Sequence, residues 1–167
     1  MKKPHLIGIC LVFAACACAG DAFAADDFPK WPLTNGDFST CHGHLGLPRG
    51  WDPATESGKH NFKLDPPLPV WGTPAVAIIE TIEAGSAYYH QTSKLMEGDY
   101  LFTVEVRGTE GAKAQARLDS GGQSATSGLV SIGRDWSTLQ FGASVGSGAA
   151  TVVLAAEGAL TEDHEKC

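Results

Sequence analysis

The side chains best suited to chemistry in this chain are aromatic rings next to polar groups. Trp71 lies within a proline-rich segment, residues 66–74, and Tyr88, Tyr89, His90 and Gln91 are consecutive. Aromatic rings stack on the C–H face of a pyranose, while imidazole and amide groups form hydrogen bonds to hydroxyls. Proline lowers the entropy cost of presenting Trp71. These five residues are therefore candidate sugar contacts, and the alternative for Trp71 is a ring folded back over the edge of the domain.

The four consecutive residues divide into two pairs if they form a strand. Successive side chains of a strand point to opposite faces, so Tyr88 and His90 share one face and Tyr89 and Gln91 share the other. One pair faces the core and the other faces a groove or solvent. The sequence does not decide between the two pairs.

Cysteine and histidine raise two further hypotheses. In Cys41-His42-Gly43-His44, one thiol and two imidazoles could bind zinc or copper, but no second ligand cluster accompanies them and we interpret the segment as a polar loop. Cys41 and Cys167 are the two cysteines that follow residue 24, and an oxidising compartment predicts a disulfide between them. The alternative is two free thiols, one of them on a frayed terminus.

The N-terminal residues have the pattern of an export signal. Two lysines precede an apolar stretch, residues 6–17, and Ala22-Phe23-Ala24 forms a small-x-small cleavage site. We therefore predict a signal peptide at residues 1–24 and a secreted or periplasmic protein. A lipoprotein anchored through Cys16 is the alternative. We expect no membrane insertion, because no other apolar run is long enough to span a bilayer.

Charge and motifs exclude several classes of function. The chain has 12 basic and 19 acidic residues, a net charge of −7, and its lysines and arginines form no cluster. This balance argues against nucleic acid and anionic membranes as partners. The sequence has no nucleophile elbow, phosphate loop or metal-binding helix motif, so we expect no enzyme. A glycan hydrolase remains the third hypothesis, because its paired carboxylates meet only in space.

The elements that position these residues are strands. Apolar and polar residues alternate along residues 100–106, 112–118 and 139–145, and residues 76–82 and 151–155 are short apolar runs. Glycine-rich polar turns separate them, which is typical of an antiparallel sandwich. We predict one all-β domain, an antiparallel β-sandwich over residues 25–160, followed by a polar tail, residues 161–167.

Four phrases occur in an order that resembles a known family. They are Asn35-Gly36-Asp37-Phe38, Gly50-Trp51, Tyr89-His90-Gln91 followed by Gly98-Asp99-Tyr100, and Trp136 at the start of a late strand. Between about residues 33 and 155 the chain resembles the jelly-roll carbohydrate-binding modules attached to xylanases and cellulases, within the galactose-binding-like superfamily. The resemblance implies a non-catalytic module that binds a neutral polysaccharide or glycan. The runner-up is a structural or protein-interaction domain whose partners are bacterial envelope proteins.

The resemblance also bears on a cofactor. It implies a structural calcium ion with Asp37 as a candidate ligand. Ser39 stands where such modules often have glutamate, and residues 157–160 lack their closing acidic pair. Both departures argue against calcium, so we expect no cofactor.

Overall fold

The structure is a computed structural model in which all regular elements are β-strands. It describes residues 46–65 and 75–158 continuously, the strands His5–Cys10 and Ala14–Ala15, and Leu33, Gly36, Phe38, Thr40 and Cys41. Within these residues there is no helix, and hence none long and apolar enough to cross a membrane.

Twelve strands lie within the described residues. They are β1 (His5–Cys10), β2 (Ala14–Ala15), β3 (Asp52–Thr55), β4 (Lys59–Asp65), β5 (Val76–Glu83), β6 (Gly85–Leu95), β7 (Gly98–Gly108), β8 (Lys113–Ser120), β9 (Gln123–Thr126), β10 (Val130–Ser131), β11 (Ser137–Val145) and β12 (Gly148–Gly158).

The strands form two antiparallel sheets. The first has the order β11-β7-β1-β5-β4, with β2 beside β7, and the second has the order β10-β8-β12-β6-β3, with β9 beside β8. Most neighbours in each sheet are distant in the sequence. This arrangement confirms the predicted all-β class and is consistent with a β-sandwich.

The core is built by the alternation that the sequence shows. In β7, Tyr100, Phe102, Val104 and Val106 are buried, while the residues between them are partly exposed. The Phe102 ring stacks on Phe141 of β11, with ring centroids 5.2 Å apart. Burial of these side chains stabilises the fold by about 25 cal/mol per Å² of apolar surface. The strands predicted from period-two alternation are thus confirmed.

The phrase that ends in Trp51 has an architectural role. Trp51 is buried, and its ring meets Phe38 edge-on at a centroid distance of 5.5 Å. The chain reaches Trp51 through a bend in which Gly50 has a φ of 81°, a conformation that favours glycine. The Trp51 amide donates to the Pro48 carbonyl at 3.3 Å, which closes the bend. Phe38 and Trp51 therefore pack together within the core.

Two strands lie within the predicted signal peptide. β1 pairs with both β5 and β7, and β2 pairs with β7. This stretch was predicted only as an export signal, because a short apolar run satisfies that pattern as well as that of a buried strand. The strands were not predicted, and cleavage after Ala24 stays a prediction.

Candidate functional site

The best candidate site is the solvent-facing side of the second sheet, which we call the outer face. It is formed by β6, β12 and β8, which lie side by side. Its central rows contain Tyr88, His90 and Thr92 from β6, Thr151, Val153 and Ala155 from β12, and Gln115, Arg117 and Asp119 from β8.

Strand register fixes how these side chains face one another. His90 lies opposite Val153, which lies opposite Arg117 on its other side. Tyr88 lies opposite Ala155 in the next row. Adjacent strands are about 4.8 Å apart, so roughly 10 Å separates β6 from β8. The outer face therefore has aromatic rings on one side, a small apolar strip in the middle and polar groups on the other side.

The aromatic side consists of Tyr88 and His90. Both side chains are partly buried, and their ring centroids lie 5.6 Å apart with planes inclined by 56°. His90 Nδ1 is buried and has no hydrogen-bond partner among the described residues. The central Val153 is buried, with 4% of its surface exposed, although the register places it on this side of the sheet.

The polar side consists of Arg117, Asp119 and Ser124. Arg117 Nε contacts Asp119 Oδ2 at 3.0 Å, and Ser124 Oγ donates to Asp119 Oδ1 at 2.5 Å. Both charged side chains are partly exposed, so the pair contributes at most about 1 kcal/mol to stability. The pair does hold the guanidinium and the carboxylate in place, and it leaves the polar side without net charge.

The second pair of candidate residues lies inside the protein. Tyr89 is fully buried, its ring packs against Phe62, and its hydroxyl donates to the carbonyls of Ile78 and Lys63 at 3.3 and 3.4 Å. Desolvation by burial raises the pKa of Tyr89, although the hydrogen bond to Lys63 opposes this shift. This environment gives Tyr89 a packing role and removes it from contact with a ligand.

Gln91 also faces inward, with 3% of its surface exposed. Its Nε2 donates to the Gly50 carbonyl at 2.7 Å and so ties β6 to the bend before Trp51. The structure thus decides what the sequence left open: Tyr88 and His90 are the surface pair, and Tyr89 and Gln91 are structural.

Several residues proposed from the sequence cannot be placed relative to the outer face. Those that lie outside the described residues are Trp71, Asp37, His42, His44 and Cys167. Cys41 is half-buried and carries a free thiol, and no disulfide is found in the described part of the chain. Among the described residues, no group of three or more His, Cys, Asp or Glu is arranged to hold a metal ion.

A groove lies at one end of the second sheet. Its volume is about 320 Å³, and it is lined by Ser57, Ala84, Gly85, Ser86, Gly111, Lys113, Glu157 and Gly158. Lys113 lies opposite Glu157 in the strand register. Because none of these eight residues is aromatic, the groove offers hydrogen bonds but no ring on which a sugar could stack.

Trp136 is an exposed aromatic residue next to the first sheet. It lies just before β11, is 42% exposed, and has the Arg107 guanidinium 4.6 Å from its ring centre. A cation over the ring face occupies one side of a potential stacking surface. Trp136 is therefore a less suitable sugar platform than the outer face.

The contribution of β8 to the outer face was not predicted from the sequence. The alternation in residues 112–118 already placed Gln115 and Arg117 on one polar face of a strand. The alternation did not indicate that β8 would lie near β6 in the sheet, because the two strands do not pair directly and β12 lies between them. Neither a protein-family model nor a curated protein matches the chain.

Proposed function

We propose that the protein is a non-catalytic carbohydrate-binding module that holds a neutral glycan on the outer face. The observation that carries this proposal is the placement of the Tyr88 and His90 rings on the outer face beside the partly exposed Ala155, with Arg117 across β12 from them. Ring faces and small apolar side chains suit the C–H surfaces of a sugar. Guanidinium, amide and carboxylate groups suit its hydroxyls.

The charges of the outer face favour a neutral ligand. The Arg117 guanidinium is already paired with Asp119, so it contributes hydrogen-bond donors without an unbalanced positive charge. The chain as a whole has a net charge of −7, which repels polyanions. A neutral polysaccharide is not repelled by this net charge and needs no unpaired cation on the outer face.

An open sheet face predicts weak binding. Each aromatic contact contributes about 0.5–1.5 kcal/mol beyond its buried area, and association entropy opposes it. We therefore expect dissociation constants on the order of 0.1–1 mM for a short oligosaccharide. Longer chains gain affinity when they offer several equivalent positions along one polymer.

Affinity electrophoresis through soluble neutral polysaccharides tests the proposal. We expect retardation of the wild-type protein, and at least a tenfold weaker interaction for Tyr88→Ala. Trp136→Ala is the matched control, because it removes an exposed aromatic ring that lies just before β11 of the other sheet, and it should leave retardation unchanged. Absence of retardation by every polysaccharide, or equal losses in the two variants, would contradict the proposal.

A second pair of variants separates stacking from hydrogen bonding at His90. His90→Phe keeps an aromatic ring beside Tyr88 but removes both nitrogens, whereas His90→Ala removes the ring. If stacking dominates, His90→Phe should bind within about threefold of the wild type and His90→Ala should lose most of the affinity. Isothermal calorimetry with the retarding polysaccharide measures both. A larger loss in His90→Phe than in His90→Ala would rule out a stacking role.

The alternative function is a structural or protein-interaction domain of the bacterial envelope. One observation favours it: Leu129 and Val130 are exposed, and β10 lies at an edge of the second sheet. Exposed apolar residues on an edge strand suit contact with another protein. Loss of partner capture on Leu129→Ser, together with no retardation by any polysaccharide, would select this alternative.

The proposal includes a location and a fold type. A polysaccharide ligand fits a secreted or periplasmic protein, in accord with the export signal predicted at residues 1–24. The two antiparallel sheets support a jelly roll of the galactose-binding-like type.

A further inference from the structure

The central position of β1 in the first sheet has a consequence for the processed protein. His5 to Ile9 pair with Thr81 to Ala77 of β5, and Ile7 to Cys10 pair with Gly108 to Glu105 of β7. Both pairings are antiparallel. β1 therefore fills a slot one strand wide between β5 and β7.

The slot cannot stay open without a large cost in stability. Neighbouring strands lie about 4.8 Å apart, so β5 and β7 are roughly 10 Å from each other across β1. Removal of β1 leaves the inner edges of both strands without ladder partners. It also uncovers Ala77, Ile79 and Val106, the register partners of Ile7 and Ile9, which are at most 1% exposed.

Cleavage after Ala24 would separate β1 from the domain. The rest of the sequence offers no equivalent replacement, because a central strand requires apolar residues and excludes proline. Residues 25–32 contain Pro29 and Pro32, residues 66–74 contain four prolines, and residues 159–167 contain four charged side chains. Among the described residues before Gly46, Leu33 and Phe38 belong to the core and Cys41 pairs with Pro48, so these three are engaged elsewhere.

We propose that, after signal cleavage, the slot between β5 and β7 accepts a strand from a second polypeptide. The incoming segment is five or six residues long, contains no proline, runs antiparallel to both neighbours, and has apolar residues opposite Ala77 and Ile79. Main-chain hydrogen bonds to two strands supply the affinity, and the two apolar positions supply the selectivity. This proposal rests on the predicted cleavage and is independent of sugar binding, which involves the other sheet.

The test uses the full chain with a specific protease site inserted between Gly20 and Asp21. The protein is cut after folding and incubated with a labelled peptide of residues 4–12 carrying Cys10→Ser. We expect native mass spectrometry to show one peptide replacing the cleaved segment, and hydrogen exchange in β5 and β7 to slow when the peptide binds. The control peptide also carries Ile7→Pro and Ile9→Pro, which remove ladder donors, and should bind at least tenfold more weakly.

Two outcomes would overturn the proposal. One is full protection of the β5 and β7 amides after the cleaved segment has been removed, with no binding of the peptide. The other is equal binding of the two peptides. If the cut protein unfolds on loss of the segment, the uncut Gly8→Pro variant supplies the readout: faster exchange confined to β5 and β7 supports the slot, and unchanged exchange refutes it. Retardation by polysaccharide, measured on the same cut protein, reports separately on the outer face.

Discussion

The bond between Gln91 and Gly50 gives a prediction with a defined magnitude. Gln91→Met keeps the length of the side chain and removes its amide, so the 2.7 Å bond from Nε2 to the Gly50 carbonyl is lost. A hydrogen bond contributes about 0.5–1.5 kcal/mol net, and a buried group left without a partner costs about 1–3 kcal/mol. Gly50 is exposed, so water can reach its carbonyl. We therefore expect a loss of about 1–2 kcal/mol in the free energy of unfolding.

Thermal unfolding measures this loss. For a domain of this size, 1 kcal/mol corresponds to roughly 3 °C, so Tm should fall by about 3–6 °C. Gln140→Met is the matched control, because Gln140 is exposed on β11 and donates only a 3.3 Å bond to Thr103 Oγ1. Its effect should stay within about 0.5 kcal/mol.

The same pair of variants can refute the structural role of Gln91. Equal changes in Tm at the two positions would show that the Gly50 bond does not stabilise the bend. Loss of polysaccharide retardation by Gln91→Met with Tm unchanged would place the Gln91 amide at the ligand instead of in the core.

Three further variants probe other parts of the fold. Burial raises the pKa of Tyr89 above its ordinary 10.0, so the stability that the neutral phenol contributes is present below about pH 10 and is lost at higher pH. Between pH 9 and 11, the free energy of unfolding, measured in urea, should therefore fall by roughly 1 kcal/mol less in Tyr89→Phe than in the wild type. Gly85→Ala would drive its Cβ into a backbone carbonyl of the β3–β4 turn and should lower Tm strongly, whereas Gly133→Ala meets open space and should not. Arg107→Ala removes the cation over Trp136 and should cost about 0.5–1 kcal/mol, with a change in tryptophan fluorescence.

The strands were predictable because their pattern is local. Phe102 and Val104 lie two residues apart, and both are buried as period-two alternation requires. The division of the β6 side chains into two faces was also predictable, but which face points to the core was not. Tyr88 and Tyr89 are chemically identical, and only the position of the opposite sheet decides which of them packs against Phe62.

The outer face was not predictable for a different reason. The row His90–Val153–Arg117 joins residues from three strands that are far apart in the sequence. Register across such distances depends on the packing of the whole sheet, which a local pattern does not record. The strand at residues 5–10 was not predicted because its local pattern is ambiguous: an apolar run is compatible with both a strand and an export signal.

The two faces of β6 are linked through the backbone that they share. On the inner side, Tyr89 and Gln91 are held by hydrogen bonds to the Ile78 and Gly50 carbonyls, so the strand has little freedom to shift or twist. Tyr88 and His90 are carried on the same strand and are therefore positioned before any ligand arrives. A weak ligand gains most from such preorganisation, because little of its binding energy is then spent on ordering the protein. If the proposed sugar binding holds, the inner residues support it without contact with the sugar.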